Sequence, residues 1–211
     1  RARPIEVLDR GEASRPEPLV GAAAEEGALT VARRFLHLGF SHILPGGLDH
    51  VLFVLGLALL SSRLRSLLAQ VTAFTLAHTL TLALAVYGVF SLSSKVVEPL
   101  IAASIVYVAV ENLFRTEARW SRLLVVFAFG LLHGLGFAGV LQELGIPRSE
   151  LASALIAFNV GVELGQLGVI ATAWLLVVSW AQAKPWYRRR LLVPASLAIA
   201  AMGVFWTVER L

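Results

Sequence analysis

Four histidines and two acidic residues stand in stretches of the sequence that are otherwise almost entirely apolar. These residues are His42, Asp49, His50, His78, His133 and Glu163. Neutral imidazole nitrogen together with carboxylate oxygen suits divalent transition metals such as nickel, cobalt or zinc, whereas calcium and magnesium sites use almost only oxygen. The residue types therefore predict a metal site. The alternative is that each histidine only makes a structural hydrogen bond.

The composition indicates what surrounds these polar residues. Of the 211 residues, 57% are hydrophobic and only 15% are charged. A soluble domain needs a charged exterior and a disordered chain needs low hydrophobicity, so both classes are excluded. The basic residues form no stripe, which argues against a nucleic-acid partner, and the absence of cysteine excludes thiolate ligands and disulfides. The lipid bilayer is the predicted partner.

Six apolar runs of about bilayer-spanning length predict the fold. They cover residues 35–60, 67–90, 96–114, 123–144, 151–180 and 191–208. Continuous runs of about 20 residues predict transmembrane helices, because helices satisfy every backbone group within lipid. We therefore expect an all-α, polytopic membrane bundle of about six transmembrane helices over residues 33–211. Residues 1–32, which have no apolar periodicity, are expected to be an extracytoplasmic tail or the remnant of a larger amino-terminal region.

The first run contains a predicted break. Residues 41–47 include Pro45, Gly46 and Gly47. Proline removes a backbone donor and disfavours helical geometry before it, and glycine relaxes the backbone after it. A short helix ending near Leu44 is expected to precede the rest of the span. Non-helical backbone within a membrane survives only against protein or a wet cavity, so this break is expected to adjoin the site.

Polar residues at helical spacing are expected to support the metal site. Residues three, four and seven positions apart share a helix face, so the third and fifth predicted spans each present a polar stripe. The supporting residues are Thr75, Tyr107, Glu111, Asn159 and Gln166. Glu111 lies near a membrane surface and has the alternative of reaching water there. The glycines, including Gly161 and Gly165, are expected to provide close helix packing.

The basic residues of the short loops predict the orientation. With the amino terminus outside, the inner loops carry Arg63, Arg65, Arg115, Arg119, Arg122, Lys184, Arg188, Arg189 and Arg190, and the outer side carries Lys95, Arg148 and Arg210. The positive-inside rule then places both termini outside. The expected location is a bacterial-type inner (plasma) membrane, with the chain crossing it several times.

The middle of the chain shows a short internal similarity. Residues 73–80 align with 128–135, so that His78 matches His133, and residues 108–111 align with 160–163, so that Glu111 matches Glu163. Helices 2–3 and 4–5 would then be parallel repeats related by a pseudo-two-fold axis, a construction known in transporters. The repeat predicts that His78 and His133 approach each other at the centre of the bundle.

Five ordered motifs resemble the HupE/UreJ family of membrane proteins. They are residues 39–53 (GFSHILPGGLDHVLF), 74–81 (FTLAHTLT), 97–105 (VEPLIAASI), 133–138 (HGLGFA) and 158–166 (FNVGVELGQ). Members of this family are associated with hydrogenase and urease maturation and are regarded as nickel or cobalt permeases. The resemblance covers residues 35 to about 180.

The resemblance implies a set of metal-binding residues. It carries over to His42, Asp49, His50, His78 and His133, and also to Glu163. Larger nickel and cobalt permeases place a histidine four residues before an Asp-His pair, whereas six residues separate His42 from Asp49 here. Whether His42 joins the same site is left open by the sequence.

The leading functional hypothesis is a permease for a divalent transition-metal ion, nickel or cobalt, with zinc as a further possible ion. One alternative is an intramembrane zinc-dependent hydrolase, in which the same histidines hold zinc and a carboxylate activates water. No His-Glu-x-x-His motif is present, so an enzyme is less expected than a transporter. Another alternative is a metal-binding accessory or sensor subunit that works with an extracytoplasmic domain or a partner protein.

Overall fold

A computed structural model describes residues 28–61, 63–116, 120–143 and 150–211. Within these ranges the chain is helical and has no strand, which confirms the predicted all-α class. Residues 1–27 of the predicted tail, together with Arg119 and Arg148, lie outside the described residues. The remaining residues of that tail, 28–32, form the start of the first helix.

Eight helices follow one another along the described part of the chain. They are α1 (Ala28–Ile43), α2 (Leu48–Leu60), α3 (Leu64–Val86), α4 (Ser94–Phe114), α5 (Ser121–Gly136), α6 (Ala138–Glu143), α7 (Leu151–Ala173, continuing to Ala181) and α8 (Arg188–Glu209). A π-helical turn, Trp174–Val178, lies within the extended α7, and α8 begins with another, Arg188–Leu192.

The helices show a multi-pass membrane protein. By length and composition, α3, α4, α7 and α8 can each cross a membrane, and α1 with α2 forms one further, bent span. α5 is apolar but has only 16 residues. The run 123–144 was expected to be continuous, yet α5 ends at Gly136 and α6 begins at Ala138, since the glycines around this point favour the helical backbone less than other residues do. The count of six spans and the orientation of the termini stay predictions.

The predicted break in the first span is confirmed. α1 ends at Ile43 and α2 begins at Leu48, and the two helices are bent by 67°. The backbone turns tightly here: a β-carbon at Gly47 would meet the backbone carbonyl of His42. Only glycine permits this approach without movement of the chain, so the turn that brings α2 back towards α1 depends on Gly47.

Small residues bring the helices together in pairs, as expected from the glycine pattern. α1 packs along α7, where a β-carbon at Gly161 would meet the carbonyl of Leu36. α3 packs along α5, where a β-carbon at Gly134 would meet the carbonyl of His78 and the hydroxyl of Thr81. α4 packs along α8 in the same manner at Gly203. In lipid, where water does not drive helices together, such close backbone contact is a main source of association.

The short helix α2 lies at the centre of this arrangement. It contacts α1, α3, α4, α7 and α8. Its residues Phe53, Val54 and Leu57 are fully buried and belong to the main hydrophobic core. His50, in the first turn of α2, is therefore placed where the other helices converge.

Candidate metal centre

Three histidines from three different helices meet beside the break in the first span. His42 lies at the end of α1, His50 at the start of α2 and His78 in the middle of α3. One nitrogen from each ring lies within 4.8 Å of the others. The bend between α1 and α2 is what joins the first two, whose ring centroids are 4.8 Å apart. The structure thus places His42 with the cluster, a point that the spacing of the motif left open.

His133 of α5 lies against the same group. Its Nδ1 is 3.4 Å from Nε2 of His50, and the two ring centroids are 4.8 Å apart. His50, His78 and His133 are at most 5% exposed. His78 also lies beside His50, with ring centroids 6.1 Å apart. The approach of His78 and His133 to each other, which the repeat predicts, stays a prediction.

Asn159 of α7 determines which nitrogen of His78 is free. The Asn159 amide nitrogen donates to the carbonyl of Leu155 at 2.8 Å, so its oxygen, 3.0 Å from Nδ1 of His78, can only accept. His78 therefore carries its proton on Nδ1. Its Nε2 keeps a lone pair, is buried, and has no hydrogen-bond partner among the described residues. Such orientation of an imidazole by a neighbouring group is typical of metal ligands.

Ser104 of α4 has the same effect on His133. Its hydroxyl donates to the carbonyl of Ile101 at 2.6 Å, so Oγ accepts from Nε2 of His133 at 3.0 Å. The proton of His133 is then on Nε2, and the lone pair of Nδ1 points at His50. Two neutral imidazoles thus direct an acceptor nitrogen into the cluster, which is the form that binds a metal.

The cluster has unsatisfied nitrogen and an apolar wall. Nε2 of His42, like Nε2 of His78, is buried and lacks a hydrogen-bond partner among the described residues. Leaving buried polar atoms unpaired costs about 1–3 kcal/mol each, and a bound cation would offset that cost. Phe137 packs on His42, with ring centroids 4.2 Å apart, and Phe74 packs on His133 at 4.9 Å. These aromatic rings form an apolar wall beside the imidazoles.

The spread of the nitrogens fits a metal only after a small movement. Bonds of about 2.1 Å from metal to nitrogen place two ligand atoms no more than about 4.2 Å apart. A pair of nitrogens at the observed limit of 4.8 Å would therefore have to close by at least about 0.6 Å.

Asp49 points elsewhere. Its two carboxylate oxygens accept from the guanidinium of Arg210, at 3.0 and 3.2 Å, and it is not a member of the histidine group. Successive side chains on a helix diverge by about 100°, so His50 and Asp49 face different neighbours. Asp49, which the sequence predicted as a metal-binding residue, therefore pairs with Arg210 in this structure.

Glu163 and Gln166 of α7 line a polar seam against α3. Glu163 accepts from the hydroxyl of Thr72 at 2.7 Å, and Gln166 accepts from that of Thr75 at 3.1 Å. Gln166 is fully buried, and its amide nitrogen has no hydrogen-bond partner in the described part of the chain. The seam continues from the His78–Asn159 pair towards the amino-terminal end of α3. Glu163 therefore lies beside the exposed Thr72 and outside the histidine group.

Two of the predicted supporting residues of α4 lie away from the site. Tyr107 is 47% exposed and packs on Phe129. Glu111 forms an ion pair with Arg122, whose Nε is 3.3 Å from Oε2. Ser104, three residues before Tyr107 and on the same face of α4, is the residue that reaches the cluster. The stripe was recognisable in the sequence, but which member faces His133 depends on how α4 is rotated against α5.

Sequence reasoning missed a second buried polar group. Arg122 is 1% exposed and donates to the side-chain oxygen of Asn112 and the carbonyl of Gly56, at 3.1 and 3.4 Å. Asn112 also donates to that carbonyl at 2.8 Å. The group links α2, α4 and α5. The sequence places Arg122 among the basic residues of a short loop. The only signal of its burial in the sequence was its position at the edge of an apolar run.

The fold and site together define a class: a multi-pass helical membrane protein with a buried histidine cluster that could hold a metal ion. The family model described as HupE / UreJ protein matches residues 21–210 of the chain. The chain therefore belongs to the HupE/UreJ family, over a longer stretch than the motifs had suggested. Comparison with curated proteins and with solved structures gives no match.

Proposed function

We propose that this protein is a permease for a divalent transition-metal ion, which binds transiently to His42, His50, His78 and His133 on its way across the membrane. The observation that carries the proposal is the convergence of three histidines, each with a nitrogen within 4.8 Å of the others, together with the buried, unpartnered Nε2 atoms of His42 and His78. The family relates to nickel, and imidazole donors suit nickel and cobalt, so these are the proposed cargo. The proposed location is a bacterial inner membrane.

The polar seam supplies a route away from the cluster. An ion that leaves the histidines meets oxygen ligands between the same two helices, in the Thr75–Gln166 and Thr72–Glu163 pairs. Carboxylate and hydroxyl oxygens hold nickel more weakly than imidazole does, which favours release. Glu163 thus acts in release, whereas the histidines act in capture.

The test is uptake by the purified full chain in liposomes, with nickel and cobalt supplied outside and measured inside. Uptake that requires His50 and His78 supports the proposal. Tight binding of metal with no uptake above empty liposomes contradicts transport and favours an accessory or sensor role. Metal-dependent hydrolysis of peptide or ester substrates would favour the zinc hydrolase, although neither Asp49 nor Glu163 belongs to the histidine group where a zinc-bound water would need a base.

A further inference from the structure

The last helix ends on a charged contact beside the histidine cluster. Arg210 follows α8 and its guanidinium holds the Asp49 carboxylate by two parallel hydrogen bonds, Nη1 to Oδ2 at 3.0 Å and Nη2 to Oδ1 at 3.2 Å. The guanidinium carbon also lies 5.3 Å from the ring centroid of Trp206, one turn earlier in α8. Asp49 directly precedes His50 in the first turn of α2. The Asp49 carboxylate, which directly precedes His50 in the sequence, is thus neutralised by Arg210.

The surroundings of the Asp49–Arg210 pair leave it accessible to an incoming ion. The Arg210 and Asp49 side chains are 22% and 24% exposed, so the pair is partly shielded from solvent and partly open to it. A fully exposed pair would be screened and would contribute little, while a fully buried one would be closed to an incoming ion. The bidentate geometry gives Arg210 a specific hold on a carboxylate that would otherwise attract cations.

We propose that Arg210 is a tethered counter-cation which occupies Asp49 while the cluster is free of metal, and which an arriving divalent ion displaces. This inference rests on the proposed function, because it requires that metal bind at His50. A divalent ion near His50 attracts the Asp49 carboxylate and repels the Arg210 guanidinium, so metal and arginine compete for one carboxylate. Arg210 is then a positioning residue that sets how strongly the site holds an ion, and it opposes binding by singly charged ions more than by doubly charged ones.

The competition predicts effects of opposite sign for the two partners. In the full chain reconstituted in nanodiscs and titrated with Ni²⁺, we expect Arg210→Gln to tighten binding about tenfold and Asp49→Asn to weaken it about tenfold, the effect of one partly shielded charge. The double variant should bind more tightly than Asp49→Asn and less tightly than Arg210→Gln, because it lacks both the carboxylate and the opposing guanidinium charge. Arg210→Lys keeps the positive charge but loses the bidentate geometry of the guanidinium. Its Ni²⁺ affinity should lie between those of wild type and Arg210→Gln. Arg189→Gln, an exposed change near the start of α8, is the matched control and should leave affinity unchanged.

A second measurement follows the displacement in the unmodified protein. With fluorinated tryptophan incorporated and the Trp206 resonance assigned through Trp206→Phe, saturation with diamagnetic Zn²⁺ should shift that resonance, because the guanidinium leaves the ring. The same titration of the Arg210→Gln variant should leave the resonance in place. This readout remains usable if Arg210→Gln folds poorly, since the shift is measured first in wild type.

The outcomes separate this inference from the proposed function. If Ni²⁺ binds and His50→Ala abolishes binding, but Arg210→Gln weakens affinity or leaves it unchanged, the pair is a structural clamp and the exchange is refuted while the metal site stands. A Trp206 resonance that does not move at saturating Zn²⁺ refutes it equally. If the wild-type chain binds no metal, both the exchange and the metal site fail.

Discussion

At the scale of single residues, the cluster depends on which nitrogen of each ring is left unprotonated. Asn159 and Ser104 each have their own hydrogen bond to a backbone carbonyl, and this determines how they face His78 and His133. The helix backbone therefore orients the amide and the hydroxyl, and these in turn orient the imidazoles. If the proposed metal site is correct, the lone pairs that an ion needs are directed inward in advance, which would lower the cost of binding.

Removal of a histidine is expected to remove the metal. For His50→Ala we expect a loss of Ni²⁺ affinity of more than about a hundredfold, since loss of an outer-shell partner alone already costs about 10–100-fold. Titration calorimetry and metal content after desalting measure it. His37→Ala is the control, because His37 is exposed on α1 and outside the histidine group. Equal affinity for both variants would leave only the structural hydrogen-bonding interpretation of the cluster.

Removal of an orienting group is expected to have a smaller effect. Asn159→Ala leaves every imidazole in place but frees the ring of His78, so Ni²⁺ affinity should fall by about 10–100-fold. Asn159→Asp restores an acceptor for Nδ1 and should recover part of the loss. Thr172→Ala, on the same helix, removes a hydroxyl that only bonds its own backbone and should change nothing. An Asn159→Ala variant with unchanged affinity would mean that the ring of His78 is held by packing alone.

At the scale of the helices, the site is assembled by close backbone contacts and one break. Gly161 and Gly134 allow α1 to reach α7 and α3 to reach α5, while the turn at Gly47 returns α2 to α1. His78 and His133 each bond to a polar residue on the opposite predicted hairpin, Asn159 and Ser104. Such reciprocal contacts are expected of two hairpins related by a pseudo-two-fold axis. The repeat itself stays a prediction.

A methyl group in the α3–α5 contact is expected to separate the two helices. For Gly134→Ala we expect a loss of about 1–3 kcal/mol of stability, because the new β-carbon would meet the carbonyl of His78 and the hydroxyl of Thr81, which cannot both yield. Thermal unfolding in detergent measures it, and Ni²⁺ affinity should fall with it. Gly139→Ala is the matched control, since a β-carbon there has nothing within 4 Å. If the two variants melted at the same temperature, the close contact would not be a source of stability.

At the scale of the whole molecule, the polar groups lie in separate regions of the bundle. The histidine cluster and the Asp49–Arg210 pair adjoin the break. The Glu111–Arg122 pair lies elsewhere, near the carboxyl end of α4 and the start of α5. Since α8 crosses the bundle, its first residues and Arg210 are at opposite ends. The orientation predicted from the basic loops would place the cluster nearer the outside and Arg122 nearer the inside.

Cysteine labelling can test this orientation directly, because the chain contains no cysteine of its own. We expect Leu211→Cys to react with an impermeant maleimide added outside intact cells, and Arg189→Cys to react only after the membrane is opened. The reason is the excess of basic residues in the loops on the Arg189 side. Labelling of Arg189→Cys in intact cells would invert the topology, and with it the proposed direction of entry.

The sequence alone determined the class of protein, the position of the break and which histidines lie within the apolar helices. These follow from local properties: the length of apolar runs, the backbone limits of proline and glycine, and the cost of ionisable groups in lipid. Only the tertiary structure decided that His42 joins His50 and His78, that Ser104 and not Tyr107 reaches His133, and that Asp49 faces Arg210. Helical periodicity assigns a residue to a face but not to a neighbour. The neighbour depends on the rotation and bend of each helix, which are set by close contacts between residues far apart in the chain.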